Sequence, residues 1–149
     1  MQWKIATYDT LTKEDVYLLL QLRVAVFVLE QNCPYQDVDG LDPVSHHVLG
    51  YHGKELQCYS RILSPGKVYE NHAAIGRVVV KASARNSGLG SDLMAQSIAA
   101  CREAYPNHPI KISAQAHLKA FYNALGFVYK NEDYLEDGIP HCAMYLENF

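Results

Sequence analysis

No run of about 18 apolar residues occurs in this chain, so a membrane-spanning helix is not expected. The opening residues Met1-Gln2-Trp3-Lys4-Ile5 lack the apolar core of an export signal, and a cytoplasmic protein is the expectation. Cysteine is sparse and scattered. Cys33, Cys58, Cys101 and Cys142 form no C-x-x-C pair, which argues against a zinc knuckle, a dithiol redox site or a disulfide framework and for reduced, packed thiols. Positive charge is not in excess either: 13 Lys and Arg against 16 Asp and Glu leave a net charge of −3, so no nucleic-acid partner is expected. With no internal repeat and no low-complexity tract, the 149 residues suit one domain, residues 1–149, with enough length to bury a core.

What is present alternates between strand and helix patterns. Gln2 to Tyr8 reads as a first strand. Thr12, with Asp15 three residues on, makes a capping box for a helix whose apolar stripe (Val16, Leu19, Leu20, Val24, Phe27) also carries Arg23 and should end near Gln31. Asn32 to Pro43 suits a loop. Val48 to Tyr51 and Leu56 to Leu63 flank a His52-Gly53-Lys54 turn as a hairpin, and Ala74 to Lys81 reads as a central strand. A helix follows to about Tyr105, broken by Pro106-Asn107-His108-Pro109. Then come a strand at Ile110 to Ala114, a helix at Leu118 to Leu125 closed by Gly126, and strands at Phe127 to Lys130 and Ala143 to Leu146. This order predicts a single sheet of α/β or α+β type.

The most informative segment is Val78-Val79-Val80-Lys81-Ala82-Ser83-Ala84-Arg85-Asn86-Ser87-Gly88-Leu89-Gly90, an apolar strand that passes through a polar loop into a helix carrying Ser91, Met94, Ile98 and Cys101. Glycines separated by one residue allow a tight turn, and the free amides of the helix start, backed by its dipole, suit a phosphate or pyrophosphate. Arg85 adds a full positive charge. The loop lacks the Gly-Lys-Ser/Thr of a nucleoside-triphosphate site and the acidic partner of a dinucleotide fingerprint, so a different phosphate ligand is required.

Arg85-Asn86-Ser87-Gly88-Leu89-Gly90 resembles the Arg/Gln-x-x-Gly-x-Gly/Ala loop with which the GNAT superfamily of N-acetyltransferases grips the pyrophosphate of acetyl-coenzyme A. Gln115-Ala116-His117-Leu118-Lys119-Ala120-Phe121-Tyr122-Asn123-Ala124-Leu125-Gly126-Phe127 resembles that superfamily's second signature. The N-terminal Arg23, Val26-Phe27, Glu30-Gln31, Pro34, Asp37, Asp39, Asp42 and His46, with the late Asp137-Gly138-Ile139-Pro140-His141, are similar to the ElaA-like branch. The resemblance covers nearly the whole chain. It implies the GNAT fold, a mixed sheet flanked by helices in which two central parallel strands splay to admit the cofactor.

The resemblance also implies roles. Val78, Val79 and Val80 would offer backbone groups to the pantetheine arm, with one N–H polarising the thioester carbonyl. Arg85, Asn86, Ser87, Gly88, Leu89, Gly90 and Ser91 would wrap the pyrophosphate. Gln115 stands where the family usually has asparagine on the cofactor arm, and Tyr122 matches the tyrosine that protonates the departing thiolate. Acetyl-coenzyme A would be the cosubstrate, without a metal, and the acceptor a small-molecule or peptide amine. A homodimer that covers an edge strand would be in keeping with the family.

On the acceptor side the residues themselves suggest Glu30, at the end of the first helix, as the base. The adjacent Asp37, Asp39 and Asp42 either attract a cationic amine or cap their own turns. Arg23, on an otherwise apolar face, requires a carboxylate or carbonyl partner, and a loop aspartate is the candidate. His46, His47 and His141 could form an acid/base or metal site, but no ligand spacing supports a metal, and positions at strand starts suit hydrogen-bonded structural histidines. Cys142, next to His141, is the one thiol to weigh as a nucleophile, although direct attack by the amine is expected. Two other readings stay open: an acyl transferase related to acyl-homoserine-lactone synthases, and a catalytically silent acyl-coenzyme A-binding or sensing module.

Overall fold

The structure, a computed structural model, describes residues 1–147. Seven strands form one sheet in the order β1-β2-β3-β4-β5-β7-β6. They are β1 (Gln2–Thr7), β2 (His46–His52), β3 (Glu55–Leu63), β4 (Ala73–Val80), β5 (Ile110–Gln115), β6 (Val128–Glu136) and β7 (Ile139–Leu146). The helices are α1 (Lys13–Arg23), α2 (Leu89–Ala104) and α3 (Lys119–Ala124). None of the described helices is long and apolar enough to cross a membrane.

Period-two alternation in the central strands builds two cores. Val48 and Cys58 belong to the core beneath α2 and α3, while their neighbours Leu49 and Tyr59 belong to the core beneath α1. Leu93, Met94 and Cys101 of α2 close the first face, and Leu19 and Leu22 of α1 the second. Close approach sets one strand position: a Cβ added at Gly50 would sit 2.5 Å from Cys58 Sγ and 2.8 Å from the Trp3 ring. Gly50→Ala is therefore expected to destabilise the fold by about 1–3 kcal/mol through overpacking, read as a lower midpoint in thermal unfolding.

The capping box forms as expected: Thr12 Oγ accepts from Asp15 N (3.0 Å) and Asp15 Oδ2 accepts from Thr12 N (2.9 Å). Asp15 also accepts from Lys4 and Tyr51, which ties the helix start to β1 and β2. The expected single helix to Gln31 is corrected. After Arg23 the coil widens into a π-helix over Val24–Glu30, with five-residue bonds from Gln31 N to Val26 O (3.1 Å) and Cys33 N to Val28 O (3.0 Å). β-Branched Val24, Val26 and Val28 weaken the α preference here. The C-terminal hairpin is also longer than expected. The strand expected to end at Lys130 runs on to Glu136, where pairing with β7 holds an exposed, polar stretch in strand geometry.

Two departures from regular pairing open the sheet. β4 and β5 are parallel neighbours paired only at Ala73↔Ile110 and Ala74↔Lys111. On the other edge of β4, Tyr59 pairs with Val79 but Arg61 with Gly76, so Arg77 and Val78 bulge opposite Ser60. Arg77 takes a left-handed φ of +50° there. Such a bulge bends its strand, and β4 parts from β5 beyond Ala74.

Candidate active site

The gap between β4 and β5 is a cleft of about 640 Å³. Val78, Val79 and Val80 line one wall, Ile112, Ser113 and Gln115 the other, and Phe121 and Tyr122 of α3 lie against it. The loop after β4 brings Arg85, Asn86, Gly88, Leu89, Gly90 and Ser91 to the same cleft. Asn86 (φ +63°) and Gly88 (φ +82°) take left-handed backbone, which turns the chain into α2. The first helical bond runs from Asp92 N to Gly88 O (3.2 Å), leaving the amides of Leu89, Gly90 and Ser91 over at the helix N-terminus. That arrangement suits a diphosphate. The Ser87 side chain stands apart: it lies outside the cleft lining, and its hydroxyl donates to Ala84 O (2.7 Å) to brace the loop.

Arg85 Nη1 and Nη2 donate to the two oxygens of Glu30 (2.6 and 3.1 Å), and its Nε donates to Val80 O (3.1 Å). Glu30, the base expected from the sequence, is thus held on both oxygens as the counter-ion of the loop arginine.

Tyr122 is buried, edge-on to Phe121 and Phe127, and its hydroxyl bonds to no protein group among the described residues. Burial pushes its phenol up to about 12, so it stays protonated and able to donate through the neutral range. Cys142 is fully buried and burial pushes its thiol up, which disfavours the thiolate a nucleophile needs.

The acidic loop does not stand as free charge: of its two readings, attraction of an amine and capping of its own turn, the second is met where Asp39 accepts from Leu41 N (3.1 Å), and arginines pair with all three carboxylates. Asp37 is shared by Arg23 (Nε to Oδ2, 2.9 Å) and Arg77 (Nε to Oδ1, 2.8 Å). Asp42 is shared by Arg23 (2.7 Å) and Arg61 (3.0 Å), and Asp39 by Arg61 (2.6 Å) and Arg77 (3.3 Å). Three guanidiniums neutralise three carboxylates. The expected Arg23 partnership is present; Arg61 and Arg77 were missed, although each is a charge inside an apolar strand and so carried the same signal as Arg23. The network braces the cleft wall, because Tyr35 donates to Asp37 (2.9 Å) beneath the Arg77 guanidinium, and Tyr35 and Arg77 both line the cleft.

The histidines separate. His47 is buried between Tyr59 Oη (2.6 Å) and Asp42 O (2.9 Å), and burial holds its pKa down. His46 meets Tyr105 Oη (3.2 Å). These two have structural partners, whereas His141 lines the cleft.

A mixed sheet with a bulged central strand, a splayed parallel pair and a glycine loop at the N-terminus of the next helix is the architecture of acyl-coenzyme A N-acyltransferases. The acetyltransferase (GNAT) domain family matches residues 21–148, and the chain belongs to that family. Within it the chain is 43% identical to protein ElaA of Escherichia coli K12, over 99% of this chain and 97% of that one. The crystal structure of Escherichia coli ElaA superposes with a TM-score of 0.90 at 41% identity, covering 97% of this chain and 99% of that one. An acyl-CoA N-acyltransferase from Pseudomonas aeruginosa gives 0.91 at 45% identity, covering 97% of each chain. The acyl-homoserine lactone synthase BjaI shares the fold alone, with a TM-score of 0.71 at 18% identity over 90% of this chain and 76% of that one.

Proposed function

We propose that this protein transfers an acetyl group from acetyl-coenzyme A to a primary amine by direct attack. The observation that carries this reading is that the glycine loop, the bulged strand and Tyr122 all line one cleft between β4 and β5. The amides of Leu89, Gly90 and Ser91, with Arg85, hold the diphosphate, while Asn86, Ser87 and Gly88 shape the turn. Arg85 exchanges Glu30 for phosphate oxygens, so its charge is compensated before and after binding. Val78, Val79 and Val80 carry the pantetheine arm with Gln115 opposite, and an N–H of this strand supports the developing oxyanion.

Attack by the amine nitrogen breaks the C–S bond, and the electron pair leaves on sulfur. Tyr122 donates to that thiolate and regains its proton from solvent. An alkyl ammonium must first become neutral, which costs about 4 to 5 kcal/mol at pH 7 without help from the site. The acceptor is a small-molecule or peptide amine.

Calorimetric titration with acetyl-coenzyme A, followed by a thiol-release screen over small amines, peptides and antibiotics, tests the reading. Binding with turnover is the expected result. Tight binding without turnover would favour an acyl-coenzyme A-binding or sensing module, and no binding would overturn the assignment. Longer acyl donors in the same assay separate acetyl transfer from the chemistry of the lactone synthases. Gly88→Glu places a side chain on left-handed backbone and a negative charge where the diphosphate lies. It is expected to weaken acetyl-coenzyme A binding about tenfold or more, and unchanged affinity by calorimetry would contradict the phosphate site.

A further inference from the structure

Resting on that reading, we propose that His141 takes the proton from the acceptor amine, with Glu136 as the counter-ion of the imidazolium that forms. His141 is only 7% exposed, yet it lines the cleft. Its Nδ1 lies 2.7 Å from Ile139 O. A carbonyl has no proton to give, so Nδ1 is the donor and the neutral ring keeps its lone pair on Nε2. Nε2 makes no hydrogen bond among the described residues, and Glu136 Oε2 stands 3.4 Å away.

The surroundings fix this arrangement. Tyr134 stacks on the imidazole with centroids 6.3 Å apart and planes at 17°. Its hydroxyl donates to Ser113 Oγ (2.5 Å), which in turn donates to Glu136 Oε1 (3.3 Å). The carboxylate is thereby tied from β6 across β7 to Ser113 of β5. Next to His141 stand Glu136 and Tyr134 on β6, Asp137 in the β6–β7 turn and Cys142 on β7, and the same cleft is lined by His117 after β5, Tyr122 on α3, and Glu30, Cys33, Tyr35, Arg77 and Arg85. His141 is the register partner of Gln115, the last residue of β5, after which the chain turns toward α3 and Tyr122. Acid and base thus flank one strand end.

Protons balance across the pair. The acceptor enters as an ammonium and ends as an amide, losing two protons. One passes through His141 Nε2 to solvent. The other is matched by the proton that Tyr122 gives to the thiolate and recovers from solvent, so the net products are the amide, the thiol and one proton.

The test uses the full chain, n-butylamine and acetyl-coenzyme A. Nitrogen-15 spectra of labelled histidine, with His141 assigned by difference from His141→Gln, are expected to show the Nδ1–H tautomer; an Nε2–H tautomer would overturn the proposal. In wild type, kcat/KM for thiol release should hold a plateau below the pKa of the amine, because the site itself removes the proton. His141→Gln should lower it about 100-fold at pH 7 and replace the plateau with a rise that follows the free-amine fraction, while acetyl-coenzyme A affinity by calorimetry stays within about threefold. Retention of both rate and plateau in His141→Gln, or loss of the plateau in Glu30→Gln alone, would overturn it. A wild type that binds acetyl-coenzyme A but releases no thiol with n-butylamine or with any amine of the screen counts against the transferase reading, whereas the tautomer decides on His141 by itself.

Discussion

Tyr122→Phe is expected to lower kcat about 10²- to 10⁴-fold, the range for loss of a general acid, with any amine that supports turnover. Acetyl-coenzyme A affinity and thermal stability should hardly change. The reason lies in the packing: the ring stays edge-on between Phe121 and Phe127, and its hydroxyl has no protein partner among the described residues to leave unpaired. Only the donor is lost. Thiol-release kinetics beside calorimetry separate these quantities, and an unchanged kcat would remove Tyr122 from the chemistry.

Arg23→Met should be the most damaging substitution for stability. Arg23 is fully buried, donates to Asp37 and Asp42, and lies over the Tyr59 ring at 5.8 Å. Methionine fills much of the volume but leaves Asp37 with Arg77 and Asp42 with Arg61 as their remaining arginine partners, a loss of about 3–5 kcal/mol. For a chain of this size that lowers the unfolding midpoint by roughly 10 °C. A drop of only a degree or two in calorimetric melting would show that Arg61 and Arg77 suffice.

The same network sets the acid behaviour. Arg61 holds Asp39 low despite partial burial, and although burial acts to raise Asp42, Arg23 and Arg61 hold it low as well. A carboxylate depressed in the folded state stabilises the fold above its unfolded pKa of about 4, and that contribution disappears as pH falls through the folded values. Stability should therefore fall steeply below about pH 4. In Arg23→Met the acid loss should be shallower, because the depression of Asp42 is partly gone.

Legibility followed the range of the interaction. The capping box at Thr12, the glycine turn before α2 and the helix closed by Gly126 rest on neighbours within a few residues, so they could be read directly. β6 could be read only at its start: Phe127 to Lys130 reads as a strand, whereas the polar residues from Asn131 to Glu136 gain strand geometry by pairing with β7. The unread half concealed Glu136 and Tyr134, and without them His141 looked like a structural histidine. Arg61 and Arg77 were legible in principle, as buried charges in apolar strands that must find partners.

By itself the sequence determined the alternation of strand and helix, a glycine turn between a central strand and the helix that follows it, and a second motif that carries a tyrosine. Only the tertiary structure decided what those parts face. The splay of β4 from β5, the bulge at Arg77 and the pairing of residues 40 or 55 positions apart, as in Arg77 with Asp37 and Arg85 with Glu30, depend on strand register and three-dimensional packing. Glycine conformation and helix capping are local free energies, carried by the residues that show them. An ion pair belongs to two distant residues at once, and which carboxylate an arginine meets is fixed only when the sheet between them has closed.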